Sequence, residues 1–120
     1  MSTTQVIFCN ESLLYWQAIE DRLISGGYNI SILKAASVKG AVKAIQEKGK
    51  CIVLTESVLL GEEYASQLPS LCKARNPDSV VVLYTGEPYD IDVSLFDHYI
   101  NSYGRDSYNE LFSFLRKHCL

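Results

Sequence analysis

Apolar residues recur along this chain in two alternating rhythms. Val6-Ile7-Phe8-Cys9, Cys51-Ile52-Val53-Leu54 and Ser79-Val80-Val81-Val82-Leu83-Tyr84 are short runs with almost no polar interruption. Their length and β-branched content are those of strands buried on both faces. Between the runs the spacing changes to three and four. Leu14, Ala18, Ile19 and Leu23 predict a helix from Leu13 to about Ser25, closed by Gly26-Gly27. Ile30 to Ala36 reads as a second, less cleanly patterned strand. Val38, Ala41, Val42 and Ile45 predict a second helix, with Ser37 as N-cap and Gly49 as its stop. Tyr64, Leu68, Leu71 and Cys72 predict a third, which Pro69 should kink or shorten. Asn76-Pro77-Asp78 is a turn; a short, weakly patterned helix over Ile91 to Phe96 and a weak strand over His98 to Asn101 follow. Ser107-Tyr108-Asn109-Glu110 has capping-box spacing and opens a last helix with Tyr108, Leu111, Phe112 and Leu115 on one face.

Strand and helix thus alternate about five times, with no repeat or linker between them. Alternation of this kind predicts an α/β fold, a doubly wound five-stranded parallel sheet with helices on both faces, formed by residues 1–120 as one domain. In such sheets ligands bind beyond the carboxyl ends of the strands, at the switch point of strand order. That rule singles out Asn10 and Glu11 after the first run, Glu56 after the third, Thr85 after the fourth, and Ser102 and Tyr103 after the fifth.

Composition removes several alternatives. Hydrophobic residues at 48% and charged residues at 21% are close to globular averages, which argues against disorder. The net charge is −3 and no Lys/Arg cluster reaches four residues, so direct nucleic-acid binding is not expected. Cys9, Cys51, Cys72 and Cys119 form no CxxC pair, which argues against a zinc or thioredoxin-type site and for a reduced cytoplasmic setting. No signal-peptide pattern and no membrane-length apolar run is present.

The strand-end residues resemble the receiver domain of bacterial response regulators, over nearly the whole chain. The acidic pair after the first strand appears as Asn10-Glu11, and "IVLTE" places Glu56 at the phosphoacceptor position. "SVLLG" resembles the following loop, with Gly61 matched and Leu60 where proline is usual. "VVLYTG" supplies the switch hydroxyl, Thr85, and "HYINSY" supplies the switch aromatic, Tyr99. The resemblance implies a flavodoxin-like fold, and a protein partner or homodimer docking on the fourth helix, fifth strand and fifth helix, with Tyr99, Tyr103 and Tyr108 as interface candidates.

The same residues depart from the pattern where phosphoryl chemistry is done. Glutamate replaces the acceptor aspartate, and asparagine replaces one of the two magnesium-binding acids. Ser102 stands where a lysine would neutralise the phosphoryl group. The extra methylene of Glu56 moves its carboxylate off the in-line position by about a bond length, and positioning dominates phosphoryl transfer. Seventeen positions separate Thr85 from Ser102, fewer than a receiver typically uses for its fourth helix. The expectation is a pseudo-receiver, a non-enzymatic interaction module without cofactor or metal. Facing each other at about 4 Å, Glu11 and Glu56 would repel by about 4 kcal/mol at an effective dielectric near 20. Water, a cation or a shared proton would then relieve the pair.

Other readings stand beside this one. Glu56 and Glu11 are also what a solvated loop acid would look like, Asn10 also suits an Asx turn, Thr85 a turn before Gly86, and Ser102 a structural role. Trp16 fits the core or an interface equally. Glu56 or Ser57 as a magnesium-dependent phosphoacceptor is the first functional alternative. The second is Cys9 as the nucleophile of a phosphocarrier or phosphatase, although "CNESLLYW" lacks the glycines or arginine of a phosphate-cradling loop.

Overall fold

Every residue of Thr4–Cys9 (β1) and of Cys51–Thr55 (β3) is buried, as the unbroken apolar runs predict. A computed structural model describes residues 3–10, 16–59, 63–86 and 91–119. The remaining strands of the main sheet are Ile30–Ala35 (β2), Ser79–Thr85 (β6) and His98–Asn101 (β7). Two-residue strands Val58–Leu59 (β4) and Glu63–Tyr64 (β5) pair antiparallel beside it.

All neighbours in the main sheet are parallel, in the order β2-β1-β3-β6-β7. Counting only these five strands along the chain, the order is 2-1-3-4-5, the flavodoxin-like arrangement. It reverses direction between β1 and β3, so the switch point lies beside Asn10 and Glu56.

Because side chains alternate across a strand, each run feeds two cores. Ile7, Cys9, Cys51, Val53, Val81 and Leu83 face one side, which Val38–Ala44 (α2) and Leu68–Arg75 (α3) cover with Val38, Ala41, Leu68 and Cys72. Val6, Phe8, Ile52, Leu54, Val82 and Tyr84 face the other side. There Gln17–Ser25 (α1) contributes Ile19 and Leu23, and Ser107–Cys119 (α4) contributes Leu111, Phe112 and Leu115. Trp16 belongs to this second core at 1% exposure, stacked on Phe8 at 5.4 Å and tilted against Tyr84 at 5.5 Å. Its two readings are thereby settled in favour of the core.

Local signals act mostly where the sequence places them. Ser37 accepts a hydrogen bond from the Gly40 N–H at 3.0 Å and caps α2. Pro69 falls in the first turn of α3, where a missing N–H breaks no intrahelical bond, so the helix is shortened, with Tyr64 in β5 instead of α3, and is not kinked. Gly27 and Gly49 adopt φ of 70° and 96° in the turns that follow α1 and α2. Asn76 makes the expected turn and more: its amide donates to the Gln46 and Gly49 carbonyls at 2.8 and 3.0 Å, and its side-chain oxygen accepts from the Asp78 N–H.

Three expectations change. The short helix over Ile91 to Phe96 is a single 3-10 turn, Val93–Leu95, with Asp92 accepting from the Ser94 N–H. The first helix begins at Gln17, and the predicted turn around Leu13 and Leu14 lies outside the described residues. The Ser107–Glu110 capping box does not form. Ser107 is already helical, its hydroxyl donates to the Ser102 carbonyl at 3.1 Å, and the Glu110 carboxylate lies 3.9 Å from His98 Nε2. A carbonyl five residues upstream takes the hydroxyl that the capping motif would have used.

Candidate functional site at the carboxyl edge of the sheet

The residues that follow the central strands are stitched to their neighbours by continuing the strand ladder. Asn10 N–H donates to the Ala35 carbonyl at 2.9 Å, Glu56 N–H to that of Cys9 at 3.4 Å, and Ser102 N–H to that of Thr85 at 3.1 Å. Asn10, Glu56, Thr85 and Ser102 therefore share one edge of the sheet, the edge the strand-end rule singles out. Asn10 and Thr85 are buried, at 8% and 4% exposure, while Glu56 and Ser102 are half-buried. Glu11, Leu60 and Gly61 lie outside the described residues, so the Glu11–Glu56 relationship is not part of this geometry.

Thr85 is the centre of the polar contacts. Its hydroxyl lies 3.3 Å from that of Ser57, both inside the protein. Its carbonyl accepts from Ser102 N–H and, at 3.4 Å, from the Tyr99 hydroxyl. Tyr99 itself packs against the core on the α2 and α3 side, so the switch-position aromatic is directed inward. The Ser102 carbonyl accepts from Ser107, whose hydroxyl is in turn 3.4 Å from the Tyr84 hydroxyl. This chain of contacts gives Ser102 a structural role, tying the end of β7 to the start of α4.

The three tyrosines expected as interface candidates separate. Tyr103 is 75% exposed, and its ring stands over Gly86 so closely that a Cβ there would meet it at 2.5 Å. Tyr99 points inward. Tyr108, in the first turn of α4, is engaged with α1: its hydroxyl donates to the Ala18 carbonyl at 3.2 Å, and Arg22 sits 5.5 Å from its ring, clamping α4 to α1.

Two features were not visible in the sequence. The β4–β5 ribbon follows Ser57 directly and closes on it, with Ala65 N–H donating to the Ser57 carbonyl at 3.0 Å. Its two-residue strands are too short to leave a periodic signal. His98 and His118, far apart in the chain, lie on either side of Phe114, with ring centroids 4.7 and 4.4 Å away. Burial is the first cause that lowers the His118 pKa, followed by the charges of Lys117, Lys50 and His98. The Phe114/His118 half of this stack follows from helical i, i+4 spacing; the His98 half needs the β7–α4 packing.

The chemistry open to the edge follows from its donors. Magnesium takes a near-octahedral oxygen set anchored by one or two carboxylates. Here the described oxygen donors beside the switch point are the Asn10 amide and Glu56, and no group of three metal-ligating side chains occurs among the described residues. On these residues alone the oxygen set is incomplete for magnesium, Glu11 lying outside the described residues. Cys9 is fully buried, with its thiol donating to the Ser37 carbonyl at 3.6 Å, which is no position for a nucleophile that must reach substrate. Burial pushes the Cys51 and Cys72 thiols up to about 12, so both remain neutral.

No family model matches the sequence, and no curated protein is similar to it at the sequence level. Solved structures are similar in fold. The signal receiver domain of an HD domain-containing protein from Pseudomonas fluorescens has a TM-score of 0.73 at 16% identity, covering 99% of this chain and 88% of that one. The response regulator TrrA from Thermotoga maritima, in complex with Mg2+–BeF, has a TM-score of 0.72 at 15% identity, covering 96% and 98%. The isolated receiver domain of RcsB from Salmonella enterica has a TM-score of 0.72 at 11% identity, covering 97% and 90%. Strand order, the layering of helices on both faces and these likenesses agree, and the chain has the flavodoxin-like fold that response-regulator receivers also have.

Proposed function

We propose that this receiver-like domain is a protein-interaction module of a signalling or transcriptional regulator that works without phosphoryl transfer and without catalysis of its own. The observation that carries the reading is the state of Thr85. Its hydroxyl is engaged with Ser57, and its carbonyl holds the Tyr99 hydroxyl. The hydroxyl that would have to turn toward a new charge is thus already engaged inside the protein, and the Tyr99 ring is already held inward on the Thr85 backbone. Glu56 in place of aspartate, Asn10 in place of one acid and Ser102 in place of lysine support the same reading. Glu56 would contribute a fixed charge at the edge, in the manner of a permanently modified acceptor.

The docking face would be the 3-10 turn Val93–Leu95, β7 and α4. Val93 and Leu95 are exposed before β7, and Tyr103 presents an exposed amphipathic ring after it. The partner that such a face would take is a protein, including a second copy of the chain.

Incubation with magnesium and acetyl phosphate, followed by intact-mass measurement, tests the reading. An unchanged mass is expected. A stable gain of one phosphoryl group, lost in Glu56→Ala or in Ser57→Ala, would establish a phosphoacceptor instead. Sedimentation of the wild type beside Leu95→Asp reports whether the proposed face joins two copies.

A further inference from the structure

A second surface lies on the opposite side of the sheet from α4. Between α2 and α3 runs an open groove of about 480 Å³, lined by Val38, Lys39, Val42, Lys43, Leu71 and Arg75, with Gln67 at one end. Helical spacing builds it. Val38 and Val42 are four residues apart on α2, as are Lys39 and Lys43 beside them, and Leu71 and Arg75 repeat the interval on α3. The result is an apolar floor with cations on both rims. Leu71 is 40% exposed although its neighbours on α3, Leu68 and Cys72, are fully buried. The Arg75 Nε–H donates to the Ile45 carbonyl at 2.8 Å, which anchors the guanidinium at the groove.

The charge is unevenly distributed. Helices α2 and α3 carry Lys39, Lys43, Lys73 and Arg75 and not one carboxylate. The other seven cations of the chain are outnumbered by all fourteen of its carboxylates. Lys73 is held by Asp97 at 2.8 Å, which leaves Lys39, Lys43 and Arg75 to face the groove without an acid among its lining residues. A positive groove on a protein of net charge −3 attracts an acidic partner locally while the rest of the surface repels it, so charge selects both face and register.

We infer that the α2–α3 groove docks an acidic amphipathic segment of a partner protein, a short helix with leucine-like residues on the floor and carboxylates toward Lys39, Lys43 and Arg75. The parallel rows at i, i+4 match the ridge of such a helix. Three cations on an apolar floor suit this occupant better than a phosphate backbone, which needs a longer basic stripe and little apolar surface.

The test uses a fluorescein-labelled synthetic peptide of about 14 residues, leucines at helical spacing and glutamates elsewhere, beside a scrambled peptide of the same composition. Fluorescence anisotropy should show saturable binding of the amphipathic peptide only, weakening with added salt. Lys39→Glu with Lys43→Glu should weaken it by roughly tenfold or more and create binding to the lysine-for-glutamate counterpart peptide. Leu71→Ser should also weaken it, with circular dichroism verifying each fold, whereas Tyr103→Ala should leave it unchanged. No saturable binding, or equal binding of the scrambled peptide, would overturn the inference. So would preferential binding of a single-stranded oligonucleotide or of phosphatidylserine vesicles. Self-association through the groove, abolished by the charge reversal, would assign the surface to a second copy and overturn it as well.

Discussion

The Tyr99 hydroxyl donates to the carbonyl oxygen of Thr85 at 3.4 Å. The same oxygen also accepts from Ser102 N–H, so it is satisfied twice. Tyr99→Phe removes only one of the two bonds, and the ring keeps its place against the core. The expected loss is about 0.5–1 kcal/mol. Chemical denaturation should show a lower midpoint at unchanged m.

Gly86 lies beneath the Tyr103 ring, and any Cβ there meets the ring at 2.5 Å. Tyr103 is largely exposed and free to turn outward. Gly86→Ala should therefore displace the ring while changing stability by no more than about 0.5 kcal/mol. NMR shifts of residues 85–87 and of the Tyr103 ring should move together; an unmoved ring would contradict the contact.

The thiols of Cys51 and Cys72 set a pH dependence. Their native pKa is pushed up to about 12 from an ordinary 9.0, chiefly by burial. The unfolded chain loses these protons first, so stability is intact below pH 9 and falls as pH rises toward 12. The slope is about 1.4 kcal/mol per pH unit for each thiol. Urea titrations across this range should show the decline, and Cys51→Ala should reduce its slope. Native protein at pH 8 should be slow to react at either position with an aromatic disulfide reagent.

Asn76 joins two loops through side-chain bonds alone. Its amide holds the carbonyls of Gln46 and Gly49, and the residue is 1% exposed. Asn76→Ala leaves two carbonyls without these donors and should lower stability by about 2 kcal/mol. Asn76→Asp should lose more, since a carboxylate would face the same carbonyls. Thermal unfolding measured by circular dichroism orders the three proteins.

The legibility of this molecule depended on the range of the signal. The central strands stood out because burial on both faces demands unbroken apolar runs, as in Val6–Cys9 and Ile52–Leu54. The Ser37 cap was visible because donor and acceptor lie three residues apart. Ser107 deceived for the same reason: its local motif was correct in spacing, but the Ser102 carbonyl five residues upstream, together with Tyr84, which the sheet brings close, claimed the hydroxyl. At the edge, strand-end position marked Asn10, Glu56, Thr85 and Ser102, whereas nothing in the sequence distinguished Tyr108, which clamps α1, from Tyr103, which is exposed.

By itself the sequence determined the alternation of strands and helices, and with it a parallel sheet whose carboxyl edge collects an amide, an acid and hydroxyls. Those properties follow from the spacing of apolar residues and from which residues come next. Tertiary structure alone decided that Thr85 is held by Ser57 and Tyr99, and that the cations of α2 and α3 line one apolar groove. Both depend on contacts between residues distant in the chain, and periodicity carries no information about which distant partner a side chain will meet.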